Sequence, residues 1–136
     1  MLLENKNAVI YGGGGAIGGA VARAFAHEGA NVFLAGRTLE SLDRVADEIR
    51  SAGGSAETDQ VDALDEQAVD EYLGEIVGRA GSIDVSFNAI SIRDVQLIPL
   101  SEMSREDFMS PISTGASTHF LTARAAARRM AERAPA

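Results

Sequence analysis

The chain's 136 residues suit a single domain, one large enough to bury roughly two thirds of the surface its unfolded form exposes. A formal charge of −8 argues against a general nucleic-acid binder, and with no cysteine and only His27 and His119 no metal centre is expected. No apolar run approaches a membrane span, and the start MLLENKNAV lacks the basic region and apolar core of a signal peptide, so a cytoplasmic protein is expected.

The first element is a strand, Asn7 to Tyr11, running straight into the glycines Gly12 to Gly15. The apolar-periodic stretch behind them predicts a helix over about Ile17 to Glu28, stopping near Gly29. Gly13, Gly15 and Gly18 satisfy G-x-G-x-x-G, a weak signal in a glycine run, but the strand before and the helix after give it meaning. Glycines here let the chain turn sharply and let an anion approach the main chain, and the amides opening the helix then face that anion.

A second strand, Asn31 to Ala35, completes a βαβ unit and ends at Arg37. Thr38 is placed as the N-cap of a second helix that turns Leu42, Val45 and Ile49 inward and stops at Gly53-Gly54. A third strand, Ala56 to Val61, leads past Asp62 to a helix behind Asp65, with Val69, Leu73, Ile76 and Val77 at helical spacing and a stop at Gly81. The fourth strand runs from Ile83 to Asn88. Beyond an irregular stretch, Ser104 and Asp107 form a capping box for a short helix, and Pro111 is expected at the first position of a separate Ala-rich helix reaching about Arg133. Arg124, Arg128, Arg129 and Arg133 cluster near the end of that helix, where the helix dipole suffices to explain them. Alternating strands and helices predict one α/β domain over residues 1–136 with a parallel sheet.

These residues resemble the amino-terminal half of the short-chain dehydrogenase/reductase family. Tyr11-Gly12-Gly13-Gly14-Gly15-Ala16-Ile17-Gly18 is similar to its T-G-x-x-x-G-x-G loop, departing at Tyr11, where a hydroxyl residue usually braces the loop, and at Ala16, whose methyl is expected to narrow the space beside the diphosphate. Phe87-Asn88-Ala89-Ile90 resembles the Asn-Asn-Ala-Gly turn, and Asp62 the aspartate that accepts from the adenine amino group; a plain loop carboxylate remains the other reading of Asp62. The resemblance implies a Rossmann-like three-layer fold, with a parallel sheet of order 3-2-1-4 and helices on both faces, truncated relative to the family. It implies a dinucleotide site drawn from Gly12, Gly14, Gly15, Ala16, Ile17, Gly18, Arg37, Thr38, Asp62, Asn88 and Ala89. An acidic residue in place of Arg37 would chelate the ribose hydroxyls of NAD, whereas a guanidinium suits the 2′-phosphate of NADP, so NADP(H) is expected over NAD(H). A solvated surface arginine is the alternative.

The family's proton-transfer groups do not assemble from these residues. Lys6 is the only lysine, and Gly15 and Ile76 follow Tyr11 and Tyr72 at the fourth position, so there is no Tyr-x-x-x-Lys. An asparagine that many members carry in the long helix would fall near Thr114 or Gly115. Ser117, Thr118 and His119 are not spaced as a substitute relay. Binding without turnover is therefore expected, with no catalytic residue assigned. With the family's further strands absent, the fourth strand becomes an edge that invites pairing, so a homo-oligomer or a partner chain covering that strand and the last helix is expected. A Rossmann protein that no longer uses nucleotide, serving as an oligomer or interaction protein, is the other class of reading.

Overall fold

The computed structural model describes residues 1–133. Its elements are β1 (Asn7–Tyr11), α1 (Ala16–His27), β2 (Asn31–Gly36), α2 (Leu39–Ser51), β3 (Ser55–Gln60), α3 (Glu66–Ala80), β4 (Val85–Asn88), a 3-10 turn at Leu100–Glu102 and α4 (Arg105–Arg133). The four strands form one parallel sheet ordered β3-β2-β1-β4.

Alternation along β1 and β2 builds two cores from the same strands. Ala8, Ile10, Val32 and Leu34 pack with Ala22 of α1 and Leu42, Val45 and Ile49 of α2. Val9, Tyr11, Phe33 and Ala35 point the other way, against Val69, Tyr72, Leu73 and Ile76 of α3 and Ala125 and Ala126 of α4. Tyr72 joins the inward face of α3 that the apolar spacing assigned to aliphatic residues, while Val77 is only partly buried.

The fourth strand starts at Val85 rather than Ile83, for a visible reason. The Asp84 carboxylate accepts the Asn7 N–H at 2.8 Å while the Asp84 N–H donates to the Asn7 carbonyl at 2.9 Å, so a side chain takes one of the two bonds at this position and the paired register begins at Ala8 opposite Val85. Ile83 is fully buried all the same. Burial acts to raise the Asp84 pKa, but hydrogen bonds from the Asn7 amide, Arg133 and Ser82 outweigh it and hold the carboxyl below its ordinary value.

The last helix corrects the expectation of two helices divided at Pro111. Ser104 does cap, accepting the Asp107 N–H at 3.0 Å, but the helix it opens continues unbroken to Arg133 with Pro111 inside. Proline there leaves the Asp107 carbonyl without its usual donor four residues on, and Asp107 is half-buried and Ser110 exposed, so solvent reaches this turn. Packing of Thr118, Thr122, Ala125 and Ala126 further along carries the helix past it. The arginine cluster does more than meet the helix dipole. Arg124 pairs with Glu66 and lies over the Phe120 ring, Arg129 donates to the Asp70 carbonyl at 3.3 Å, and Arg133 bonds Asp84 at 2.7 Å.

Candidate functional site

At the carboxyl ends of the strands lies a cavity of about 570 Å³. Its floor is the turn between β1 and α1. Gly12 there has φ of +73°, and a Cβ on it would meet the Ala89 carbonyl oxygen at 2.7 Å, so both conformation and the approach of the β4 turn demand glycine. A Cβ on Gly18 would collide with the Gly12 carbonyl oxygen, which is how α1 comes close enough to aim its start into the cavity.

That helix start is built for an anion. Gly15 is its N-cap with no side-chain cap, so the amides of Ala16, Ile17 and Gly18 lack intrahelical partners. The loop is braced by main chain, with the Gly12 N–H donating to the Ala35 carbonyl at 2.8 Å and the Gly15 N–H to Gly12 at 3.1 Å. Tyr11 does not brace it. Its ring turns into the α3 side of the core, edge-on to Tyr72 with centroids 6.5 Å apart, and its buried hydroxyl has no partner. Burial, with a smaller contribution from Asp70, pushes that phenol well above its ordinary pKa, so it stays neutral.

Gly12, Gly14, Gly15, Arg37, Thr38, Asp62 and Ala89 all line the cavity. Ala16 and Ile17 lie exposed on α1 and are not among the residues lining it. Together with buried Gly18 they can serve the site only through their amides. Asn88 points elsewhere: its side chain donates to Thr122 at 3.3 Å and accepts the Ile90 N–H at 2.9 Å, and it borders a second cavity of about 290 Å³ between β4 and α4.

Thr38 opens α2 as placed, yet its side chain makes no capping bond; Ser41 instead donates to the Thr38 carbonyl at 3.0 Å. The Arg37 side chain has no ion-pair partner among the described residues. Asp62 accepts the Leu64 N–H at 3.0 Å through one oxygen, a turn-making role that leaves its other oxygen free beside the cavity. Ser41, Leu64, Ser91, Arg93 and Thr114 also line the space. Apart from Thr114, near the family's helix-asparagine position, no motif marks them. The stretch after β4 has no periodicity that would reveal where it lies, and only its packing on α4 brings Ser91 and Arg93 here.

Gly115, at the position considered for the family's helix asparagine, is buried, and a Cβ on it would meet the Ile92 side chain at 2.7 Å. An aliphatic side chain thus fills the space that a larger residue at 115 would need.

A model described as short chain dehydrogenase matches residues 6–136. Gluconate 5-dehydrogenase of Gluconobacter oxydans is 34% identical over 131 residues, covering 96% of this chain and 50% of that protein. Among solved structures, a metagenomic short-chain oxidoreductase in complex with NADP superposes with a TM-score of 0.83 at 29% identity, over 96% of this chain and 58% of the other. NAD+-bound xylitol dehydrogenase superposes with a TM-score of 0.87 at 27% identity, over 96% and 50%. The chain spans about a third to a half of the length of the curated relatives it matches.

Proposed function

This chain belongs to the short-chain dehydrogenase/reductase family, and on that premise we propose that it is a dinucleotide-binding portion of an oxidoreductase, taking NADP(H) in preference to NAD(H). The donor set fits such a cofactor: a glycine turn that a Cβ would block, an uncapped helix start behind it, and a free guanidinium at the end of the next strand. Diphosphate would meet the amides of Ala16, Ile17 and Gly18, and the adenine edge the free Asp62 oxygen. The observation that carries the preference for NADP(H) is Arg37, unpaired and lining the cavity where Ala35 and Gly36 offer no carboxylate to repel a 2′-phosphate. Asn88 acts on this reading as a brace, tying the β4 turn to α4 while Ala89 meets the ligand.

A bound nicotinamide would supply hydride exchange with a carbonyl or hydroxyl carbon, the chemistry of the family. These 136 residues contain no Tyr-x-x-x-Lys, so the chain by itself binds without turnover and the proton-transfer groups come from other sequence. Titration by fluorescence tests this reading. NADPH should bind at least tenfold more tightly than NADH, and Arg37→Asp should reverse the order; an unchanged ratio in Arg37→Asp removes the guanidinium from the site.

A second reading is an oligomer or interaction protein, and one observation favours it. Val85, Ser86, Phe87 and Asn88 form an edge strand open to pairing, and Phe108, Ile112 and Phe120 are exposed on α4. Either a second copy or a partner chain would cover them. Light scattering decides: an oligomer that ignores NADPH supports this reading, and a strict monomer at high concentration opposes it.

A further inference from the structure

The cavity extends beyond the cradle made by the glycine turn and Arg37. Its far end is lined by Ser91 and Arg93 from the stretch after β4, and by Ser110, Thr114 and Thr118 of α4. The three helix residues are spaced by four, so they share one face. Thr118 spends its proton on the Gly115 carbonyl at 3.2 Å, while no hydrogen bond engages the hydroxyls of Ser110 or Thr114 among the described residues.

Ser91 and Arg93 are exposed to solvent where they line the cavity. Ile92 seats its side chain against Gly115, where a Cβ would come within 2.7 Å. That contact leaves the half-exposed Ile92 against α4, with Ser91 and Arg93 on either side of it lining the same cavity as the hydroxyl face. Arg93 has no ion-pair partner among the described residues, and the carboxylate of adjacent Asp94 is engaged by the Gln96 amide at 3.3 Å. Among the described residues, Arg37 and Arg93 are the two cations lining the cavity, and Asp62 is the one carboxylate. Arg37 follows β2 and Arg93 follows β4, which flank β1; their strand ends are two strand spacings, about 10 Å, apart. In a chain of charge −8, two unpaired guanidiniums in one cavity concentrate positive potential where an anion has least competition.

We propose that Arg93, with Ser91, Ser110 and Thr114, forms a second anion subsite that takes the carboxylate of a small hydroxylated acid beside the dinucleotide. The guanidinium fork matches a carboxylate, and the free hydroxyls match hydroxyl groups on the same ligand. The neighbouring dinucleotide rests on the reading above; the subsite itself is built from residues that the reading does not use.

Glycerate and glycerol make a matched pair of probes, alike except for the carboxylate. Followed by amide chemical shifts of the full chain, with and without NADP+, glycerate should bind at least tenfold more tightly than glycerol, since a hydrogen-bonded charge is at stake. Arg93→Ala should abolish that ratio, and Thr114→Val should weaken both probes together by a few-fold. Gly115→Ala, which displaces Ile92, should also reduce the ratio. The proposal is overturned if the wild-type chain does not distinguish the probes, if Arg93→Ala leaves the ratio intact, or if NADP+ displaces glycerate competitively. A wild-type chain whose shifts ignore NADP+ would defeat the dinucleotide reading alone, because the titration without NADP+ still decides the subsite.

Discussion

The two edges of the sheet are built on opposite plans. β3 reads Ser-Ala-Glu-Thr-Asp-Gln, and its outward groups are tied down by charge and hydrogen bonds: Glu57 pairs with Arg79 at 3.1 Å and Thr58 donates to Asp43 at 2.7 Å. β4 reads Val-Ser-Phe-Asn, with all four residues half-buried and no charged group along it. Charges on an edge discourage pairing with another chain, and their absence permits it. One edge is therefore finished as a boundary, whereas the other has the composition of an interior strand. The difference follows the length comparison, since the relatives carry about as much chain again as the region this sequence matches.

The strongest way to break this contrast is to strip each edge of its characteristic residue. Phe87 packs against the α1 and α2 core, so Phe87→Ala should lower unfolding free energy by about 3 kcal/mol, the lower part of the range for a buried phenylalanine. Thr58→Ala should lower it by about 1 kcal/mol or less, because an exposed hydrogen bond contributes little net stability. Urea denaturation of the two variants measures both. Equal losses would mean that β4 does not behave as an interior strand.

Asp84, which fixes where β4 begins, comes next. Asp84→Ala leaves the Asn7 amide without its acceptor and should cost about 2 kcal/mol. The pH dependence has a definite sign. Because the folded carboxyl is held below its ordinary value, its stabilisation is present above the unfolded value of about 4 and is lost as pH falls through the folded one. Thermal melts below that point should show wild type and Asp84→Ala converging; a constant gap across the acid range would show that the hydrogen bonds to the carboxylate contribute nothing.

How much of this was legible in the sequence divides along the same line. The β1 limits and all three inner helices follow from apolar periodicity and glycine stops, because there local chemistry and tertiary packing agree, whereas the sheet order comes from the family resemblance. Where a side chain takes one of the ladder bonds, at Asp84, or where distant packing overrides a local breaker, at Pro111, the boundary differs from the sequence pattern. Within the site, the glycine turn, Arg37, Thr38, Asp62 and Ala89 line one cavity because strand ends carry them there. Ser91 and Arg93 carry no sequence signal, because the contact of Ile92 with Gly115, far apart in sequence, brings them to the cavity. Tyr11 stands where a bracing hydroxyl is expected; its phenol instead fills the core, with no hydroxyl partner among the described residues. Tyr11→Phe should therefore raise stability by about 1 kcal/mol, and a loss in urea denaturation would mean that the hydroxyl has a partner in solution.

The smallest effect is expected on the guarded edge. Glu57→Gln removes the charge that meets Arg79, but both side chains are about half exposed, so the change in unfolding free energy should stay under about 0.5 kcal/mol and shrink further in salt. If the role of Glu57 is to keep chains apart, the substitution should act on association instead of folding. Sedimentation at rising concentration would then show more self-association in Glu57→Gln than in wild type, with an unchanged urea midpoint. A shift in the midpoint without a shift in association would make Glu57 a stabilising ion pair and deprive β3 of its status as a guarded boundary, leaving composition alone to distinguish the two edges.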